Sequence, residues 1–351
     1  MKLRKLHIED YKMFKDFDIS FMDENDEPLP IIVLAGVNGS GKTTLLEYLL
    51  NYEKYAFSNF STFMDCLTIK DNVGILYMDY ETLKPDAEMY IHNLDFYTKN
   101  LLYYSTNTNI ENIKTFLPKK IENMVYKEEI PPREAYKQIR EYIDNILKNL
   151  NPQIEFDGRD GEGNLFFRNK SGGDKFSIDE LSTGEKTLMS KVLYLYLEDI
   201  KDKVILIDEP ELSLHPSWQN KVLKIYENFA LKNNCQIIIA THSPHIIGSA
   251  ENKYIRFLEK DKEANVRAIN DIQAYGRDIE WILEQMDVAD TRLPKITKRF
   301  EEIQELINNE EFDKADDALD KLEYVIGEND KDILALRNDL AFERMDFEED
   351  N

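Results

Sequence analysis

Apolar and polar positions alternate through the first thirty residues, with Leu3, Leu6 and Ile8 followed by Phe17, Ile19 and Phe21. That period predicts two short strands joined around Asp10-Tyr11-Lys12. The acidic run Asp23 to Pro30 carries two prolines and reads as a turn. Then Pro30-Ile31-Ile32-Val33-Leu34-Ala35 is apolar throughout and β-branched, the mark of a strand covered on both faces. It feeds a glycine loop and an apolar-periodic helix starting near Lys42. Two further runs of the same kind follow, Val204-Ile205-Leu206-Ile207 and Gln236-Ile237-Ile238-Ile239-Ala240. Helical periods lie at 184–198 and 217–231. Strands alternating with helices predict a parallel sheet with crossover helices.

Other stretches differ in texture. From Tyr52 to Pro132 the chain is rich in Tyr, Asn and Lys, and residues 51–134 read as a helical insertion. Arg133 to Leu150 continues as a helix, and Gln153 to Arg168 gives two strands around Asp157-Gly158 and Gly161 to Gly163. Beyond 271 three helical periods, 294–307, 312–325 and 332–345, are separated by turns near Asn308-Asn309 and Gly327-Glu328-Asn329.

Composition sharpens this division. The chain has 351 residues and a formal net charge of −24. Residues 271–351 hold 25 acids and 10 bases, a net of −15, which leaves −9 for the first 270. Acidity therefore belongs mostly to the tail, which is a poor nucleic-acid binder and a plausible protein-docking surface or solvated face. Two cysteines suit a reducing cytoplasm, so a cytoplasmic chain is expected. The amino terminus has no apolar run behind its positive charges, and no stretch reaches the roughly 18 to 20 apolar residues of a membrane span, so no membrane association is expected.

Three segments carry chemistry. Gly36-Val37-Asn38-Gly39-Ser40-Gly41-Lys42-Thr43 is a phosphate-loop (Walker A) pattern in its strand–loop–helix context. Its backbone N–H groups and helix N-terminus suit phosphate oxygens. Asn38, Gly39, Ser40, Gly41, Lys42, Thr43 and Thr44 are the expected nucleotide contacts, with Lys42 on the β/γ-phosphates and Thr43 on Mg²⁺. Ile205 to Pro210 supplies the second (Walker B) part: Asp208 at a strand end as a second Mg²⁺ ligand, and Glu209 as general base. Ser182 opens a helix, with Glu185 placed for a capping box and Gly184 permitting close backbone approach; the same N-terminus can cap the helix and bind an anion.

Ser182 lies 26 positions before Asp208, and His242 lies 34 after it. The order phosphate loop, Leu181-Ser182-Thr183-Gly184-Glu185, Ile207-Asp208-Glu209-Pro210, then Thr241-His242-Ser243 resembles the ABC-type ATPases over residues 1–50 and 135–250. The form Asn38 to Glu47, the ending Glu211-Leu212-Ser213-Leu214-His215-Pro216 and the opening Leu6 to Phe14 resemble the branch with SMC-type and overcoming-lysogenization-type ATPases. The resemblance implies an α/β fold: a P-loop ABC-type ATPase head with a mostly parallel sheet (1–50 and 135–270), the helical insertion (51–134) and an acidic helical C-terminal region (271–351). It implies ATP and Mg²⁺ as cofactors. It also implies a head-to-tail homodimer or a larger assembly, in which Ser182, Gly184 and Glu185 cover the partner's nucleotide, and it makes His242 a switch residue acting with the catalytic Glu209 and Lys42.

Two positions keep two readings. Lys12 either covers the nucleotide or is a solvated hairpin lysine, and His215 either sits at the subunit contact or simply starts a helix. One departure stands out: no glutamine occurs between Lys42 and Gln138, so the Mg²⁺-sensing glutamine of ABC-type heads is missing or replaced. From Thr43 to Ser182 there are 139 positions, too few for SMC coiled-coil arms. The tail is too short for an appended topoisomerase-primase domain, so no nuclease active site is expected in this chain. The segments 276–284, 315–322 and 326–330 resemble the ATPase subunit of Septu-type anti-phage defence, relatives of which accompany retrons and work with a separate nuclease. The expectation is an antiviral-defence ATPase controlling a partner effector, with nucleic acid contacted indirectly. The alternative is a DNA-repair ATPase that binds DNA itself, for which the basic clusters Lys114 to Lys120 and Arg292 to Arg299 would matter.

Overall fold

A computed structural model describes residues 2–50, 75–78, 102–104, 110–197, 200–270, 272–286 and 292–350. The chain divides into two compact units, Met1–Asp287 and Val288–Asn351.

The first unit is built on a seven-stranded sheet. Its strands are β3 (Ile31–Ala35), β4 (Ile75–Met78), β5 (Leu102–Tyr104), β9 (Val204–Asp208), β10 (Gln236–Thr241), β11 (Ile255–Lys260) and β12 (Val266–Ile269), in the spatial order β12-β11-β3-β10-β9-β4-β5. All pairings are parallel except β11 with β12. The apolar runs predicted to be covered on both faces are so: every residue of β3 and every residue of β10 is buried. Removing a Val, Leu or Ile side chain from water contributes about 1.5–3 kcal/mol, so these strands anchor the sheet. β10 lies between β3 and β9, and its register pairs Thr241 with Ala35 and Ala240 with Asp208. The carboxyl ends of all three strands therefore finish at one level, where ligands bind in open parallel sheets.

The segment read as a helical insertion differs from that expectation. β4 and β5 join the central sheet, with β4 parallel to β9, and its described helical parts are Ile110–Tyr126 and the helix start at Pro132. Ile75-Leu76-Tyr77-Met78 is too short to show a period, and pairing with β9 decides its state rather than local propensity. The rest of 51–109 lies outside the described residues.

Around this sheet, β1 (Lys5–Tyr11) and β2 (Phe14–Ser20) form the predicted amino-terminal hairpin. Helix α1 (Lys42–Leu50) follows the glycine loop. α2 (Ile110–Tyr126) lies in the last part of the insertion, and α3 (Pro132–Leu147) begins at its end. α3 buries Ala135, Ile139, Ile143 and Leu147 at four-residue spacing, the apolar stripe of an amphipathic helix. β6 (Ile154–Arg159), β7 (Leu165–Asn169) and β8 (Phe176–Ser177) make a separate antiparallel sheet. Then come α4 (Thr183–Leu188), a π-helical turn over Met189–Leu193, and α5 (Tyr194–Leu197). α6 (Pro216–Lys232) leads into β10, α7 (Pro244–Ser249) leaves it, and α8 (Ile279–Gln285) closes the unit.

The second unit contains α9 (Pro294–Asn308), α10 (Phe312–Ile326) and α11 (Lys331–Asp350), the three predicted periods. Its core comprises Ile303, Ile307, Ala315, Leu319, Leu322, Ile333, Leu336 and Leu340. Arg337 bonds Asp316, Asp320 and Glu323, and Arg292 bonds Asp330 and Asp332, so part of the acid excess is neutralised within the unit. No helix of the described residues is long and apolar enough to cross a membrane.

Candidate functional site

The glycine loop sits where β3 ends, and its lysine folds back onto it. Lys42 is 6% exposed, and its Nζ donates to the carbonyls of Gly36 and Val37 at 2.9 Å each. Burial pushes the ammonium below its ordinary pKa, opposed by the negative charges of Asp208, Glu209 and Glu211. Gly41 has φ +99°, and a Cβ there would lie 2.9 Å from Met13 Sδ and 3.0 Å from the Phe14 ring. The tip of the β1–β2 hairpin therefore presses on the loop, and only glycine fits. Asn38 and Gly39 are exposed at the rim, whereas Thr43 and Thr44 are half-buried. Ser40 Oγ is buried and has no hydrogen-bond partner among the described residues.

Across the sheet, Thr43 Oγ1 donates to Asp208 Oδ2 at 2.8 Å. Beyond Asp208 the backbone turns sharply: Glu209 has φ +45°, its N–H donates to the Ala240 carbonyl at 2.8 Å, and its own carbonyl accepts from Lys191 Nζ at 3.1 Å. A left-handed glutamate costs of order 1 kcal/mol or more and persists only where the surroundings fix it. Here both its peptide groups are held. The side chain projects so that Glu209 Oε1 lies 3.2 Å from His242 Nδ1. His242 Nδ1 is also 3.6 Å from Glu211 Oε1. Lys42, Thr43, Asp208, Glu209 and His242 thus converge from three adjacent strand ends.

Ser182, Gly184 and Glu185 do not join this cluster. Ser182 caps α4: its Oγ accepts from the Glu185 N–H at 3.3 Å, and Glu185 Oε2 accepts from the Ser182 N–H at 2.9 Å. That reciprocal box stabilises the helix start by about 1 kcal/mol. Ser182 is exposed, so the N-terminal end of α4 faces solvent. Gly184 rests against the next turn, where a Cβ would meet the Ser213 carbonyl at 3.1 Å.

The positions with two readings have plain local settings. Lys12 pairs with Glu47 at 3.3 Å, and His215 caps α6 by accepting from the Ser217 N–H at 3.2 Å. Lys114 pairs with Asp179 at 2.7 Å, and Arg292 is held by two aspartates, so the leading residue of each basic cluster is engaged within the chain. The stretch after β4, where the absent glutamine would be expected, lies outside the described residues.

Two residues near the site went unnoticed by pattern. Glu211 is 5% exposed yet accepts three hydrogen bonds around His242. Lys191 is 4% exposed on the π-helical turn that continues α4. A lysine in an otherwise apolar helical run was the available signal.

These features define a class: a phosphate-loop α/β fold with a parallel-rich sheet and a helical C-terminal region. The family described as "AAA ATPase domain" matches residues 1–81, and that described as "AAA domain, putative AbiEii toxin, Type IV TA system" matches 96–248. More particularly, the chain is similar to the Septu protein PtuA of Bacillus thuringiensis, with 31% identity over 175 residues, 47% of this chain and 43% of PtuA. It is also similar to the retron Ec83 probable ATPase of Escherichia coli, with 28% identity over 153 residues, 40% of this chain and 27% of that protein. The chain therefore spans less than half the length of these relatives. An SMC head bound to the C-terminal winged-helix domain of ScpA superposes with a TM-score of 0.49 and 15% identity, covering 77% of this chain and 97% of the head. The sequence similarity is thus to a Septu protein and a retron probable ATPase, over part of the chain.

Proposed function

We propose that the chain binds ATP with Mg²⁺ on the phosphate loop and hydrolyses it, using Glu209 as general base. The single observation that carries this is the convergence of Lys42, Thr43, Asp208, Glu209 and His242 at three adjacent strand ends. The site fits the nucleotide and its ion. Ser40 Oγ is a buried oxygen awaiting a partner, and Thr43 and Asp208 offer the oxygen donors a hard cation prefers. Mg²⁺ bound there would neutralise charge on the β- and γ-phosphate oxygens.

The chain's own groups supply the remaining steps. Lys42, released from two carbonyls, turns its ammonium to the β/γ-phosphates. Glu209 accepts a proton from the attacking water, and its pinned backbone keeps the carboxylate in place. His242 orients that carboxylate through its Nδ1 contact and faces the γ-phosphate. Asn38, Gly39, Ser40, Gly41 and Thr44 hold phosphate oxygens through the loop and the first turn of α1.

We further propose a head-to-tail homodimer, in which Ser182, Gly184 and Glu185 of one chain cover the nucleotide of the other. The solvent-facing N-terminus of α4 supports this, because the capping box leaves the Thr183 and Gly184 N–H groups available to an anion. Similarity to PtuA and to a retron ATPase supports a role in anti-phage defence, with hydrolysis gating a separate effector, a nuclease.

The test is phosphate release by purified protein with Mg²⁺ and ATP, alongside Asp208→Asn and Ser182→Arg. Hydrolysis that falls at least 100-fold in Asp208→Asn supports the site. Loss of ATP-dependent dimers in Ser182→Arg supports the composite arrangement, and normal dimerisation by that variant would exclude it.

A further inference from the structure

Glu211 follows the Glu209 turn and is buried, although it belongs to no step described so far. Its Oε1 accepts from Thr241 Oγ1 at 2.6 Å, from the His242 N–H at 3.0 Å and from the Ser243 N–H at 3.2 Å. Three donors on one carboxylate oxygen are an unusual concentration, and hydrogen bonds to an ionised acceptor are about twice as strong as neutral ones. All three donors belong to the turn that carries His242. The same oxygen lies 3.6 Å from His242 Nδ1, on the side of the ring that meets Glu209. A second clamp holds the turn from α6. Ser243 Oγ donates to Gln219 Oε1 at 2.7 Å, while Gln219 Nε2 donates to the Leu214 carbonyl at 2.9 Å. The segment carrying Glu209 and the segment carrying His242 come from β9 and β10, and beyond the strand ends the Glu211 side chain ties them through three hydrogen bonds.

We propose that Glu211 is a positioning residue for the hydrolytic step: it fixes the His242 turn so that the imidazole is held against Glu209. This rests on the hydrolytic reading above. The alternative is a purely structural carboxylate whose loss weakens the fold without selecting the chemical step. The two differ in what they do to His242. A positioning residue acts through His242, so removing both residues costs no more than removing His242 alone. A structural residue adds its own independent loss.

The experiment compares Glu211→Ala, Glu211→Gln, His242→Ala and the double variant Glu211→Ala/His242→Ala in steady-state ATP hydrolysis. Hydrogen exchange is followed in the segment 241–246. Displacing a catalytic group by about 1 Å costs on the order of 100-fold in rate. Glu211→Ala should therefore lower kcat about 100-fold with KM for ATP within about threefold. Glu211→Gln keeps an oxygen acceptor for the three donors and should recover at least about tenfold of that loss. The double variant should match His242→Ala within about threefold. Exchange of the His242 and Ser243 amides should quicken about tenfold or more in Glu211→Ala, while β3 is unchanged.

Multiplicative losses in the double variant, or a kcat for Glu211→Ala within about threefold of the unaltered protein, would overturn the proposal. If Glu211→Ala does not fold, Glu211→Gln in the His242→Ala background carries the same comparison. If the unaltered protein hydrolyses no ATP, the hydrolytic reading fails by itself. The exchange measurement then still decides whether Glu211 holds the turn, and unchanged exchange would sink that claim too.

Discussion

Alanine at Gly36 would put a methyl carbon 2.5 Å from the Leu258 carbonyl oxygen and 2.7 Å from Ser40 Oγ. Gly36 also has φ +146°, a conformation that side-chain-bearing residues rarely adopt. The backbone strain costs about 1–3 kcal/mol. The forced separation of packed atoms costs about 1–3 kcal/mol more. Together these give a destabilisation of about 2–6 kcal/mol, against a total of about 5–15 kcal/mol for an ordinary domain. The Ser40 hydroxyl can rotate away, but the Leu258 carbonyl cannot, because the neighbouring Phe257 is held in register with Ala35. A Ser40→Ala change in the same chain should therefore fail to rescue Gly36→Ala. Function should suffer with stability, since the Gly36 carbonyl is one of the two that hold Lys42. Denaturant unfolding with intrinsic fluorescence gives the stability, and titration with a fluorescent ATP analogue gives the affinity. A variant within about 0.5 kcal/mol of the unaltered protein, binding nucleotide normally, would refute the reasoning, because scatter at neutral surface sites is of that size.

Gln236 is fully buried, accepts from the Leu3 N–H at 2.7 Å and donates to the Leu3 and Leu29 carbonyls at 3.0 Å each. Gln236→Leu orphans three backbone groups and should cost about 3–6 kcal/mol in denaturant unfolding. Asp330 accepts from the Asp332 and Ile333 N–H groups at the start of α11 and pairs with Arg292. Asp330→Ala should cost the second unit about 1–2 kcal/mol, measured by thermal unfolding of the whole chain. Burial pushes the Asp330 carboxyl up, but Arg292 and the two N–H groups outweigh it, so its pKa falls below the ordinary 3.8. A lowered carboxyl contributes stability that is present above the ordinary value and is lost as pH falls through the lowered one, so Asp330→Ala should lose this part of the acid sensitivity below about pH 4. Burial lowers the Lys42 pKa, and bound phosphate favours the charged ammonium. ATP binding should therefore take up protons at alkaline pH and weaken as pH rises through the lowered value, short of the ordinary 10.5. Calorimetry in buffers of different ionisation heat reads this directly, and no uptake would refute it.

Much of the head was legible because its strands carry their own signal. Ile31 to Ala35 is apolar at every position, and a glycine loop follows at once, so strand, loop and helix could be placed without tertiary information. The same holds for Val204 to Asp208 and Gln236 to Thr241. β4 was hidden for the opposite reason. Its four residues lie within polar, aromatic text, and only pairing with β9 makes them a strand. Glu211 was visible as a letter in the segment Glu211 to Pro216 but not as a clamp, because its partners lie about thirty positions away, at the end of β10 and just beyond it. Lys191 stood out only as a lysine in an apolar helical run; that the π-helical turn buries it and aims it at the Glu209 carbonyl could not be read from the period. The unit boundary at Asp287 lies beyond the composition shift near 271, since α8 belongs to the first unit despite its acidic text.

Glu209 is proposed to remove the proton from water in an ATP-bridged dimer. The most direct test is Glu209→Gln, which keeps size and removes the base. With Mg²⁺ and ATP, hydrolysis should fall by about 10²–10⁴-fold. Nucleotide should still bind, and a stable dimer should accumulate in light scattering coupled to size-exclusion chromatography. Hydrolysis at the unaltered rate, or a variant that stays monomeric at saturating ATP, would contradict the account.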